Sequence, residues 1–173
     1  CIRDRQNPNY LRPPYRLHNQ YIIGRVLGHG SFGITYLAYD RGLGTKVAIK
    51  EYFPLEFASR NPTDMSVAPM TGNKEDLFFS GKKKFISEAR LLSSLRSPHI
   101  IRIRHFFEEG NTAYFVMEYL DGQTLKAFIE GHGGTISFEE LRPIINSILN
   151  ALDEVHSHNS FHRDIKPENI YMT

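Results

Sequence analysis

The stretch His162-Arg163-Asp164-Ile165-Lys166-Pro167-Glu168-Asn169 sets an aspartate, a lysine and an asparagine at positions n, n+2 and n+5. One short loop thus offers a proton acceptor, a cation and an amide oxygen able to hold a metal ion, a combination suited to phosphoryl transfer. Such chemistry needs a rigid support. Leu141, Ile144, Ile145, Ile148, Leu149, Leu152 and Val155 recur at helical spacing just upstream and predict a helix with one apolar stripe. Ser137 and Glu140 have the spacing of a capping box at its start. Pro143 would delete one helical hydrogen bond, so the helix is predicted to kink or effectively start there. A shorter helix, at about residues 124–130, precedes it and ends at Gly131.

Nearer the start, three β-rich runs at residues 21–27, 34–39 and 46–50 are separated by glycine-bearing turns at 28–33 and 41–44, the pattern of an antiparallel meander. The first turn is Gly28-His29-Gly30-Ser31-Phe32-Gly33, whose glycines let backbone N–H groups approach phosphate oxygens. A dinucleotide-binding fingerprint shares that spacing but opens a helix. Here Ile34-Thr35-Tyr36-Leu37-Ala38-Tyr39 reads as a strand, giving a hairpin over phosphates. In Val47-Ala48-Ile49-Lys50, residues two apart share a strand face. Ala48 leaves room for a flat base, and Lys50 can reach phosphates as a cation. Glu88 is the candidate carboxylate to hold Lys50, beside the helical stripe of Phe85, Ala89, Leu92 and Leu95. Residues 51–81, with Pro54, Pro62, Pro69 and Gly72, read as an inserted loop with at most a helical turn. Two further strands, 100–107 and 112–119, are joined by a turn at 108–111, for a count of five strands and one helix. Residues 1–20 carry Pro8, Pro13 and Pro14 without periodicity and read as an extended lead-in, with folding from about Tyr21.

Taken in order, these segments resemble the eukaryotic-type (Hanks-type) Ser/Thr protein kinase family over about residues 21–173. The resemblance implies an α+β protein kinase-like fold: a five-stranded antiparallel small lobe with one helix (21–118), then a hinge and an incomplete helical large lobe (119–173). It implies ATP and magnesium as cofactors and protein Ser/Thr as the phosphate acceptor, since Lys166 two residues after Asp164 is the Ser/Thr kinase form. Gly28, Gly30 and Gly33 would cover the phosphates, with Leu27 and Ser31 beside them. Lys50 would pair with the α and β phosphates and Glu88 would anchor it. Asp164 would be the catalytic base, Lys166 would offset charge on the transferred group, and Asn169 would hold a magnesium ion. Met117 resembles the gatekeeper and Glu118-Tyr119-Leu120 the adenine-binding hinge. Arg163 resembles the arginine that pairs with an activation-loop phosphate. Gly33-Ile34-Thr35-Tyr36-Leu37 and Lys50-Glu51-Tyr52-Phe53-Pro54 resemble a bacterial branch of the family.

Two positions depart from the family pattern. Thr35 replaces the usual valine over adenine, which adds a hydroxyl. Tyr171 stands where an aliphatic residue commonly forms the adenine floor. Thr173 falls before any Asp-Phe-Gly segment, which implies that these residues alone transfer phosphate poorly or not at all. It also implies that the 141–155 helix awaits a partner or the rest of a large lobe. A second functional class, a nucleotide-binding or interaction module without catalysis, differs from the enzyme only in the residues beyond Thr173. Cys1 in place of Met is read as either an artificial boundary or a cut inside a longer gene product, with the start of a mature lipoprotein as the lesser alternative.

Composition agrees. Lys plus Arg number 21 against 19 for Asp plus Glu, and the longest like-charge run is Lys82-Lys83-Lys84, so no nucleic-acid-binding face is expected. The single cysteine excludes an intrachain disulfide and fits a reducing, cytoplasmic compartment. No apolar run reaches the roughly 18 residues that span a bilayer. His156, His158 and His162 lack a carboxylate or cysteine at ligand spacing, so zinc is not expected; His162 is predicted to pack under the loop.

Overall fold

A computed structural model describes residues 7–72, 74–162 and 164–173. Two compact units emerge: residues 1–93 with 102–119, and residues 94–101 with 120–173. The first is built on strands β1 (Arg16–Leu17), β2 (Tyr21–Gly30), β3 (Gly33–Asp40) and β4 (Thr45–Tyr52), the hairpin β5 (Ala58–Arg60) and β6 (Val67–Pro69), helix α1 (Lys74–Ser94), and strands β7 (Ile103–Glu109) and β8 (Thr112–Glu118). The main sheet is antiparallel with order β1-β2-β3-β4-β8-β7.

Its turns follow from their residues. Asp40 accepts hydrogen bonds from Gly42 N (2.8 Å) and Leu43 N (3.1 Å), while Gly44 takes a positive φ that closes β3 onto β4. Gly110 and Asn111, at φ 56° and 62°, form the two-residue turn from β7 to β8, the backbone sense that matches strand twist.

Alternation along β4 assigns the two faces of the sheet. Tyr52 meets Phe78 and Phe85 of α1, and Phe85 stacks on Phe115 with centroids 4.7 Å apart. On the opposite face lies Glu51, fully buried, beside Tyr36, Tyr114 and Arg60. Tyr10 and Leu11 are buried, and Leu11 N donates to the Tyr36 hydroxyl.

Two expectations need correction here. Residues 10–17 are not an unpaired lead-in: Leu11 and Leu17 are core residues and β1 adds a sixth strand. Leu11 N donates to a hydroxyl 25 positions on and β1 is only two residues long, so no local period announces them. Residues 51–81 hold the end of β4, the β5–β6 hairpin and the first eight residues of α1 rather than a loop. Gly81 reads as a helix breaker by propensity yet sits within α1, because the Tyr52 hydroxyl occupies the space its Cβ would need.

The second unit holds β9 (Gln123–Thr124), α2 (Leu125–Gly131), α3 (Phe138–Ser157), a 3-10 turn (Pro167–Asn169) and β10 (Tyr171–Met172). Thr124 caps α2 by accepting from Ala127 N at 3.1 Å. Gly131 belongs to α2 itself; the left-handed residues past its end are Gly133 and Gly134. The capping box at Ser137 and Glu140 is present, and α3 runs from Phe138 straight through Pro143 instead of starting there. Five residues of lead are enough, since Pro143 forfeits only the bond to Glu139 O. β9 and β10 pair antiparallel, and Gly122 is required by the close approach of Met172 O. Along α3, Val155 is buried whereas Ile145 and Leu149 are exposed. Among the described residues no helix is long and apolar enough to cross a membrane.

Candidate active site

The first unit carries one cluster. β2 and β3 meet at Gly30 and Gly33, and the register shift between Val26 and Gly28 leaves Leu27 in an irregular, half-buried position. Between the strands Ser31 and Phe32 are exposed. A Cβ added at Gly33 would lie 2.5 Å from Glu51 O, so packing of β3 on β4 explains that glycine. At Gly28 and Gly30 an added Cβ would meet nothing within 4 Å. The fold therefore gives no steric reason for these two, and their bare backbone fits a group that approaches from outside, as phosphate does.

Lys50 pairs across the sheet with Thr35 on one side and Phe115 on the other. Its ammonium lies 5.3 Å from the Phe115 ring centroid, 5.8 Å from that of Phe85 and 3.7 Å from Glu88 Oε1. Two aromatic faces and one carboxylate thus aim a half-exposed cation along the sheet. Ala48, two residues earlier, is flanked in register by Leu37 and Met117, and both Ala48 and Met117 are buried. Glu118 closes β8 with its carboxylate accepting from Arg102 N at 3.0 Å.

A second cluster lies in the other unit, on the loop after α3. Asp164 Oδ1 is 3.0 Å from Lys166 Nζ, and Asn169 Nδ2 donates to Asp164 Oδ2 at 2.8 Å and to Asp164 O at 2.9 Å. Lys166 first, then Asn169, holds the Asp164 carboxyl below the usual carboxylate range. It stays ionised near neutrality and able to accept a proton. Asn169 spends its amide nitrogen on Asp164, which leaves its carbonyl oxygen as the atom suited to a hard cation. The 3-10 turn sets this pairing, with Asn169 N donating to Lys166 O at 2.9 Å. Lys126 of α2 holds Glu168 at 3.1 Å.

His162 is exposed rather than packed beneath the loop, and its Nδ1 accepts from Asp164 N at 3.3 Å. The backbone needs an acceptor there, so the ring turns toward Asp164. Leu120 is half-buried, and Tyr171 is exposed on β10, paired with Thr124. Arg163 and Cys1 lie outside the described residues.

Sequence reasoning missed the group behind Lys50. Glu51 Oε2 accepts from Arg60 Nη2 (2.6 Å) and from the Tyr36 hydroxyl (2.9 Å), and Oε1 from the Tyr114 hydroxyl (2.7 Å). Arg60 also donates to Asn9 O and Met65 O. Burial alone would lower the Arg60 pKa, but the Glu51 charge raises it. Only Glu51 following Lys50 hinted at this knot, because Arg60 and the tyrosines come from elsewhere in the sequence.

An antiparallel sheet with a single long helix, joined to a helical unit bearing such a loop, is the protein kinase fold. The structure titled "PpkA-294 apo form" superposes with a TM-score of 0.88 at 34% identity, covering 95% of this chain and 58% of that one. "Rad53 1-466 in complex with AMP-PNP" does so with a TM-score of 0.66 at 28% identity, covering 88% of this chain and 34% of that one. The chain belongs to the protein kinase domain family, whose model matches residues 21–173. It is 36% identical over 155 residues to serine/threonine-protein kinase PrkC of Bacillus subtilis, covering 90% of this chain and 21% of that protein. To serine/threonine-protein kinase 33 of Mus musculus it is 34% identical over 150 residues, covering 87% of this chain and 26% of that protein. It thus spans about a quarter or less of the length of these two relatives.

Proposed function

We propose that these residues form the nucleotide-gripping and base-bearing part of an ATP-dependent protein kinase that phosphorylates serine or threonine. The observation that carries this reading is Asp164, fixed between Lys166 and Asn169 and kept ionised by them. ATP with magnesium, when bound, supplies the transferable phosphoryl group. The N–H groups around Gly28 and Gly30 bind phosphate oxygens, and Lys50, steadied by Glu88, binds them as a cation. Ala48, Met117 and Thr35 would bound the base, with the backbone of Glu118 and Tyr119 offering it hydrogen bonds. Asn169 would hold magnesium through its carbonyl oxygen. Asp164 takes the proton of the acceptor hydroxyl, and Lys166 offsets developing negative charge. The occupant AMP-PNP named in the Rad53 structure supports this assignment of nucleotide.

The test is Asp164→Ala in the intact natural protein, with phosphate transfer and binding of a fluorescent ATP analogue measured separately. Transfer is expected to fall by about 10²–10⁴-fold while binding stays within a factor of about two. Unchanged transfer rejects Asp164 as the base.

A further inference from the structure

From the packing of β4 on α1 we infer that Tyr52 and Gly81 act as a positioning pair that sets where Glu88 meets Lys50, and so tune nucleotide affinity without touching nucleotide. Tyr52 is on the same face of β4 as Lys50, two residues on. Its ring packs against Phe78 at 5.3 Å and Phe85 at 5.6 Å between centroids, and its hydroxyl donates to Phe78 O at 3.0 Å. Burial pushes the phenol up to about 12, so it remains a donor throughout the ordinary pH range.

Gly81 is the complement. The space a Cβ would need there is taken by the Tyr52 hydroxyl, with Tyr52 Cζ next at 3.1 Å. Both contacts belong to a buried ring wedged between Phe78 and Phe85, so the side chain has no easy retreat. Glycine inside a helix costs about 1 kcal/mol against alanine, so close approach is what the residue supplies. Gly81 and Glu88 are seven residues apart and therefore lie about 20° from one another around α1, roughly 10 Å along its axis. The approach allowed at Gly81 thereby fixes the height of Glu88 over the sheet.

The same strand end serves the phosphate loop: Tyr52 is the register partner of Gly33, and Phe53 N donates to Phe32 O at 3.1 Å. Tyr52 consequently joins three things on one residue: the backbone of the glycine loop, the seat of α1 and the strand that carries Lys50. The Lys50 to Glu88 separation of 3.7 Å leaves little slack before the pair opens. A Cβ at Gly81 must push α1 outward by on the order of 1 Å to restore ordinary contact, which carries Glu88 beyond reach.

This inference rests on the reading of Lys50 as the phosphate-binding cation, and the experiment separates the two. In the intact natural protein, affinity for a fluorescent ATP analogue with magnesium is measured for Gly81→Ala, Glu88→Gln, their double variant, Tyr52→Phe/Gly81→Ala and Lys50→Met, with a melting curve for each. Gly81→Ala is expected to weaken binding by on the order of tenfold, as a displacement of about 1 Å can. It should add nothing once Glu88 is already Gln, and Tyr52→Phe, which removes the blocking hydroxyl, should restore affinity. Multiplying effects of Gly81→Ala and Glu88→Gln, or affinity that simply tracks melting temperature, would overturn the pair. If Lys50→Met leaves affinity unchanged, the assignment of Lys50 fails and the inference with it.

Discussion

Replacing Arg60 by Met isolates the energetics of the buried knot. The side chains of Arg60 and Glu51 are both 0% exposed, and Arg60 Nη2 lies 2.6 Å from Glu51 Oε2. Met fills the volume of the arginine stem but leaves the Glu51 carboxylate buried with only the hydroxyls of Tyr36 and Tyr114 as donors. Removing one partner of a buried ion pair costs about 3–5 kcal/mol, since desolvation of the survivor is no longer offset. Total stabilities are roughly 5–15 kcal/mol, so about a fifth or more of the reserve is at stake. For a chain of this size that corresponds to a melting temperature lower by roughly 6–20 °C.

Urea unfolding of Arg60→Met, Glu51→Gln and the double variant measures the loss, with an unchanged slope as the sign that stability alone has moved. The double variant should recover much of it, because Gln accepts one tyrosine hydroxyl at its oxygen and donates its amide N–H to the other with no charge left uncompensated, giving a coupling of about 2–3 kcal/mol. A loss below about 1 kcal/mol for Arg60→Met, or a double variant that loses the sum of the singles, would refute this account.

Lys166→Met should move the acid limb of kcat/KM to higher pH, because Lys166 is the main cause of the depressed Asp164 pKa; a limb that stays in place would deny the pairing. Asp40→Ala should remove about 1.5–3 kcal/mol by stripping the β3–β4 turn of a charged acceptor. Burial alone would raise the Asp40 pKa, but hydrogen bonds from Gln20, Leu43 and Gly42 bring it below the usual carboxylate range. Its folded-state pKa being depressed, the contribution is present above the unfolded value and is lost as pH falls through the folded one. The stability gap between natural protein and variant should therefore close in acid, and a gap independent of pH would count against the turn assignment.

The sequence made legible what is local. The capping box at Ser137 and Glu140, the β7–β8 turn and the strand bearing Ala48 and Lys50 each depend on residues within a few positions of one another. The Asp164 loop is likewise a single segment, so its contacts with Lys166 and Asn169 could be read as spacing. The features that stayed hidden depend on residues far apart. Leu11 is a buried residue whose N–H donates to the hydroxyl of Tyr36, 25 positions on. Arg60 lies in the proline-bearing stretch read as a loop, and its acceptors are Glu51 of β4, Asn9 O and Met65 O. Gly81 lies at the end of the stretch read as a loop, and the reason for its place in α1, Tyr52, comes much earlier in the chain and on another element.

The adjacency of Lys50 and Glu51 also makes the register of β4 hard to mistake. Strand side chains alternate, so a slip of one residue would move Lys50 to the face where Arg60 is buried and Glu51 to the face of Glu88. Each charge would then meet its own sign, one of the two encounters in a fully buried site. Coulomb repulsion there is strong because little water screens it. The buried pair does not need to add net stability to be useful: by making the slipped register costly, it fixes which face of β4 presents the lysine. The charges of Lys50 and Glu51 on this strand are thus two halves of one constraint. Glu51→Ala should therefore weaken binding of a fluorescent ATP analogue although its side chain lies on the face away from Lys50, and undiminished binding by the folded variant would break the link between the two charges.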